Sequence, residues 1–307
     1  MSATYAAAPQ DCGAAPHATP FDQTRRALEQ RLMALLPNHG DPDNVLAAAM
    51  RHAVLGVGKR VRPMLFMSIC RDLGHDAPAL FDLACAIEVV HASSLILDDL
   101  PCMDDATLRR GQPAVHVQFG EDVALLAAVA LLSHAFQIVA SVDGISPGAR
   151  MRLTGALAHA VGAQGLAKGQ YQDLREVQQR PADDIAMTYA LKTGSLLSVA
   201  VEMASIIAQT NPETTQWLRQ FASTAGQAFQ IRDDLLDAGM GPVLAKGEMI
   251  GKDIGQDAGK ATLPAALGIE AARLRMVSEV SRADQYLEVA LGPRNQTRRL
   301  LLELFPH

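Results

Sequence analysis

The chain has 307 residues, 49% of them hydrophobic, 20% charged and only 4% aromatic. That is enough for a sizeable core, and the alanine- and leucine-rich balance suits helices better than strands. Thirty-three acids against twenty-seven bases leave a net charge of −6, which excludes a broad phosphate-neutralising surface and hence nucleic acid as a partner.

Residues 1–20 lack the basic start and long apolar run of a signal peptide and are expected to form a disordered tail. From Phe21 to the end, helical periodicity recurs between short Gly/Pro/Asp breaks, and no run alternates with period two over a strand's length. The expectation is one all-α domain over 21–307, built of a dozen or so helices. Gly58-Lys59-Arg60-Val61-Arg62-Pro63 leads into a helix that can begin at Pro63. The segment Ala84 to Leu100 reads as a core helix on which Ile87, His91, Ser94 and Asp98 share one stripe. A polar line through an apolar helix ending in Asp98-Asp99 calls for a ligand, because unpaired buried carboxylates are costly. On an ideal helix Asp104 would point roughly 240° away from Asp98, but Pro101 forbids an ideal helix and a break can turn Asp104 back.

Val123 to Ala140 carries no charge over eighteen residues, the length of a membrane-span candidate. Ser133, His134, Gln137, the many alanines and the lack of a basic flank favour a buried core or oligomer-interface helix instead, so no transmembrane span is expected. Farther on, Lys192-Thr193-Gly194 interrupts an apolar helix. A mid-helix glycine costs about 1 kcal/mol, which points to a kink or a close approach. In AFQIRDDLLD, Gln230, Asp233, Asp234 and Asp237 fall at i, i+3, i+4 and i+7, one face of one helix. The Gly-rich stretch Ala238 to Gly259 reads as a functional loop, a lid for instance. Cys12, Cys70, Cys85 and Cys102 have neither finger nor CxxC spacing, which fits a reduced, cytoplasmic setting.

The bases sharpen the reading. There are twenty-one Arg but only six Lys, and Lys59, Lys192, Lys252 and Lys260 occupy Gly-flanked or helix-interrupting places near the acidic motifs. Stacked carboxylates repel unless cations lie between them, and Mg²⁺ typically shares one or two carboxylates with phosphate oxygens and water. With Lys and Arg to take the remaining oxygens, this is the equipment for binding a diphosphate.

HASSLILDDLPCMDDATLRRGQPAVH resembles the first aspartate-rich motif of the trans-isoprenyl diphosphate synthases, and FQIRDDLLD resembles the second. GKRVRP, GQYQD (169–173), KTG and GKDIGQDAGKATLP fill the family's other motif slots in order, so the likeness runs from Lys59 to Pro264. The four-residue spacer of DDLPCMD and the small residues before it most resemble the bacterial geranylgeranyl diphosphate synthases of carotenoid-type pathways. Leu97 departs from the His that many relatives carry there, and the spacer from Asp237 to Gly251-Lys252 looks longer than in many.

The resemblance implies an isoprenoid-synthase-type helical bundle around a deep central cavity, in a homodimer. It implies a catalytic set of Asp98, Asp99, Asp104, Asp233, Asp234, Asp237 and Lys192. Asp98, Asp104 and Asp233 would hold Mg²⁺, about three ions per active site, with Asp99, Asp234 and Asp237 as further ligands or acting through water. Arg109, Lys192, Thr193, Gln230, Lys252 and Lys260 would complete the allylic diphosphate site; Lys59, Arg62, His91 and Arg110 would take isopentenyl diphosphate. The starter would be dimethylallyl, geranyl or farnesyl diphosphate. Ser94 and Ser93, four and five places before Asp98, would leave the chain-length cavity open for a C20 product, and Ser93→Tyr is expected to shift products toward C15. Ser94 lies under Asp98 on the helical wheel, whereas the role of Ser93 rests on resemblance alone. Competing readings are a C15 farnesyl diphosphate synthase, a terpene cyclase and a catalytically silent partner subunit. A cyclase binds one diphosphate and has no need of the paired arginines or GKRxRP; the full acidic set argues against a silent subunit.

Overall fold

The computed structural model describes residues 19–37, 43–175, 181–237, 262–293 and 295–305. Fourteen helices occur among the described residues. They are α1 (Pro20–Leu35), α2 (Val45–Leu55), α3 (Val61–Asp72), α4 (Ala79–Asp98), α5 (Val115–Phe119), α6 (Glu121–Ser141) and α7 (Pro147–Val161). There follow α8 (Leu166–Leu174), α9 (Ala182–Lys192), α10 (Gly194–Ala208), α11 (Pro212–Asp237), α12 (Leu263–Leu267), α13 (Ile269–Leu291) and α14 (Gln296–Leu304).

Capping chemistry sets many of these boundaries. Thr19 and Asp22 form a reciprocal capping box on α1, Asn44 accepts from the Ala47 N–H on α2, and Ser146 followed by Pro147 starts α7. Asp72, the last residue of α3, accepts the backbone N–H groups of Gln296 and Thr297 at 2.7 and 2.9 Å and so fastens α14 onto α3.

The centre of the bundle is α4, which packs against α1, α2, α3, α6 and α10. Leu83 to Val90 are all buried, Glu88 among them. A smaller apolar cluster of Ile185, Tyr189, Ile231, Leu235, Leu263 and Ala272 joins α9, α11, α12 and α13. By length and composition, α4 and α6 are both apolar enough to cross a membrane. The bundle surrounds α4, but α6 keeps Leu125, Leu126 and Val129 exposed on its outer side.

Three local expectations are refined. The apolar helix across KTG is two helices, α9 and α10, bent by 51° at Thr193. Its glycine serves a helix crossing: a Cβ on Gly226 of α11 would come within 3.2 Å of the Gly194 Cα. The helix after GKRVRP starts at Val61 rather than Pro63, with Arg60 left-handed at its N-cap. The all-α pattern also admits a short hairpin, β1 (Leu108–Arg109) against β2 (Gln112–Pro113). Its two-residue turn, Arg110-Gly111, has φ of 55° and 77°, the doubly positive pair that a tight hairpin requires.

Candidate active site

α4 ends where its backbone can no longer continue past Pro101. Residues 99–104 form a turn, within which the Asp104 N–H donates to the Asp98 carbonyl at 2.9 Å, and just beyond it the Ala106 N–H donates to that of Asp99 at 3.2 Å. The break therefore brings Asp104 back over the helix end. Burial pushes the Asp98 carboxyl up to about 6, with Asp104 and Asp99 adding to the effect and Lys192 and Arg109 opposing it. A carboxylate held at such a cost attracts a cation.

Asp99 has a different setting. It is buried, and the Arg109 guanidinium grips it through Nε at 2.9 Å and through Nη2. The expectation of a further metal ligand thus meets a carboxylate already engaged with the arginine of the hairpin.

The bend between α9 and α10 bridges the two acidic motifs. Lys192, in the last turn of α9, pairs with Asp173 of α8. Burial works against its charge, but Asp98, Asp173 and Asp104 more than offset this and hold its pKa above the ordinary lysine value. Gly169 makes the approach of α8 possible, since a Cβ there would fall 2.3 Å from the Lys192 backbone nitrogen. One residue on, the Thr193 hydroxyl donates to Gln230 Oε1 on α11, whose Nε2 donates to Asp234 Oδ1 at 2.9 Å. Lys192 thus faces the first motif while Thr193 holds the second.

On α11 the acidic face divides. The Asp233 side chain is 40% exposed and exerts its field on Lys59 and Arg62, the cations ahead of and within α3. Asp234 is buried, and its second oxygen accepts from the Tyr189 hydroxyl, which in turn accepts the Leu263 N–H at 3.1 Å. Asp237 is the last residue of α11. Among the described residues, no group of three or more His, Cys, Asp or Glu side chains forms a ready cage. Asp98, Asp104 and Asp233 offer hard oxygen donors, which suits an ion that completes its shell with substrate and water.

A second set of cations lies along α4. Arg62 Nη1 stands 3.1 Å from His91 Nε2. Burial, then Arg62, Arg110, Arg109 and Arg60, hold the His91 pKa well below the ordinary imidazole value, so His91 is neutral and its Nε2 accepts. Ser94, half-buried, turns its hydroxyl back to the His91 carbonyl at 2.9 Å. Ser93 is buried and donates to the Ala128 carbonyl of α6 at 2.8 Å. The two serines therefore differ: Ser94 follows the stripe below Asp98, whereas Ser93 faces α6.

A family model described as polyprenyl synthetase matches residues 43–289. The chain belongs to this family. It is 46% identical over 289 residues to a geranylgeranyl diphosphate synthase of Pantoea ananas, covering 92% of each chain. Among solved structures it resembles an FPP/GFPP synthase from Zymomonas mobilis, with 34% identity, TM-score 0.79, and 92% and 94% of the two chains covered. It also resembles a geranyltransferase from Helicobacter pylori complexed with magnesium and isoprenyl diphosphate, at 26% identity and TM-score 0.79 over 95% and 97% of the chains.

Within this polyprenyl synthetase fold, Lys252, Lys260 and the loop 238–259 lie outside the described residues, as does nearly all of the tail 1–20. Several residues that organise the site are absent from the motif reading. Glu88 was visible as one acid in the apolar run Ala84 to Val90. Asp173 stood in a quoted motif without a role. Tyr189 gave no signal, because its partners are distant in sequence.

Proposed function

We propose that the chain condenses isopentenyl diphosphate with an allylic diphosphate and elongates it to geranylgeranyl diphosphate. The observation that carries this reading is the pairing of two unlike charged groups near enough that Arg109 acts on both Asp98 and His91. In one, Asp98 and Asp104 stand with Lys192 and the Arg109–Asp99 pair; in the other, Arg62, Arg110 and Arg60 surround neutral His91, and Asp233 of the second motif acts on Lys59 and Arg62. A chain that handled one diphosphate would have no use for the second set.

Asp98, Asp104 and Asp233 would hold Mg²⁺, which when bound supplies charge neutralisation for the departing diphosphate. Lys192, oriented by Asp173, and Arg109, oriented by Asp99, present fixed cations where negative charge grows as the allylic C–O bond breaks. Thr193 and Gln230 fix the bend that carries Lys192. Lys59, Arg62 and Arg110 hold isopentenyl diphosphate so that its double bond faces the allylic carbon. The proton lost after attack goes to the diphosphate leaving group, and no side chain is needed as base. The small Ser94 below Asp98 leaves room for a growing chain, which supports a C20 product.

The exposed apolar side of α6, with Leu125, Leu126 and Val129, supports a homodimer built on that helix. A cytoplasmic setting and a carotenoid-type pathway complete the proposal.

The test is turnover of the purified chain with labelled isopentenyl diphosphate and dimethylallyl, geranyl or farnesyl diphosphate, with products resolved by length. A C20 end product from each starter supports the reading. Arrest at C15 gives a farnesyl diphosphate synthase instead.

A further inference from the structure

Arg109 and Arg110 are neighbours in sequence, yet their guanidinium groups reach different acids. Arg109 grips Asp99, while Arg110 Nη2 reaches Glu88 at 3.3 Å. Glu88, Ala92, Leu95 and Asp99 fall at i, i+4, i+7 and i+11, one stripe of α4, so the two acids stand about 16 Å apart along it. The hairpin turn places consecutive arginines on the two ends of this stripe, and Arg110 accepts a left-handed φ of 55° to do so.

Glu88 is almost wholly buried and also pairs with buried Arg60 at 2.7 Å. Arg60 too is left-handed, with φ 51°, and Nη2 donates to the Gly56 carbonyl at 2.9 Å. Gly58 completes the enclosure, since a Cβ there would lie 3.2 Å from the Arg110 guanidinium carbon. One carboxylate thus answers two guanidinium groups. Arg110 Nη1, Arg60 Nε and Arg62 Nε have no hydrogen-bond partner among the described residues. Buried ion pairs add little net stability compared with apolar packing, so two unfavourable backbone conformations converging on one acid call for a functional reason.

We infer that Glu88 is a positioning residue: it clamps Arg110 by one edge and Arg60 beside it, so that the other edge of Arg110 stands ready for the diphosphate of isopentenyl diphosphate. This rests on the proposed condensation for the identity of the ligand. Glu88 itself touches no substrate. Its partner at the other end of the stripe, Asp99, does the same for Arg109 toward the allylic site, which keeps the two adjacent arginines from competing for one anion.

The test is Glu88→Gln in the full-length chain, read in three ways. The KM for isopentenyl diphosphate should rise about tenfold, with kcat and the allylic KM within about threefold of wild type. Binding of inorganic diphosphate to the metal-free protein in EDTA, followed by calorimetry, should weaken to a similar degree. Because Glu88→Gln strands buried Arg60, the double variant Arg60→Met/Glu88→Gln removes that charge and should keep the raised KM with a melting temperature near wild type. An unchanged isopentenyl KM in either folded variant overturns the inference, as does an equal loss in both KM values and kcat. Absence of turnover in wild type would instead defeat the proposed condensation, and the diphosphate-binding arm would still decide whether Glu88 sets the anion site.

Discussion

The backbone N–H of Asp104 donates to the carbonyl of Asp98 at 2.9 Å. This bond turns a proline-broken helix end into a two-carboxylate site, bringing together side chains that a continuous helix would separate. The Asp98 carboxyl, pushed up to about 6 by burial and by Asp104 and Asp99, is the electrostatic result.

Asp98→Asn and Asp104→Asn should each lower turnover by at least about 100-fold and raise the Mg²⁺ concentration needed for half-maximal rate. Steady-state rates over a Mg²⁺ series check this. A wild-type Mg²⁺ curve in both variants would remove the pair from the metal site.

The two aspartates of α11 should separate by phenotype. Asp234 receives donors from Tyr189 and Gln230, and an asparagine there has only one acceptor oxygen for the two. Asp234→Asn should therefore cost about 1–3 kcal/mol of stability, whereas Asp233→Asn should leave the melting temperature unchanged and weaken the Mg²⁺ response. Thermal melts of both variants, with and without Mg²⁺, distinguish the two roles.

His91 should remain neutral at pH values where an exposed histidine is charged. The unfolded imidazole takes a proton near pH 6.5 and the folded one does so only well below it. The contribution of neutral His91 to folded stability is therefore present above about pH 6.5 and is lost as pH falls below it. Side-chain NMR should show an uncharged His91 at pH 6, and His91→Gln should flatten part of the acid limb of stability. A midpoint at or above 6.5 would contradict the buried cationic setting.

Chain length should respond to Ser94 and Ser93 differently. Ser94→Tyr fills space directly under Asp98 and should move products toward C15 with little change in melting temperature. Ser93→Tyr must displace α6, since Ser93 donates to the Ala128 carbonyl; it should shift products toward C15 while also lowering the melting temperature. Product chromatography and melts on both variants test the distinction.

Much of this arrangement was legible in the sequence for local reasons. Pro101 after Asp98-Asp99 announced the break that returns Asp104, and Gly194 after Lys192 announced the interruption now seen as a 51° bend. The hairpin at Arg109 was not legible, because two residues per strand are too few to show alternation. The wheel also grouped Asp233 with Asp234, although the 100° between neighbours is enough to leave one exposed and bury the other. Which acid meets which arginine was not legible. Glu88 and Arg110 are twenty-two residues apart, and only the packing of the hairpin on α4 brings them together.

The central claim is that one cleft holds two diphosphates and joins their hydrocarbon chains. The most direct measurement counts inorganic diphosphate released against isopentenyl diphosphate consumed by the purified chain with farnesyl diphosphate and Mg²⁺. The account predicts one released for each one consumed, with product growing by one isoprene unit. Diphosphate release from farnesyl diphosphate without consumption of isopentenyl diphosphate would contradict it.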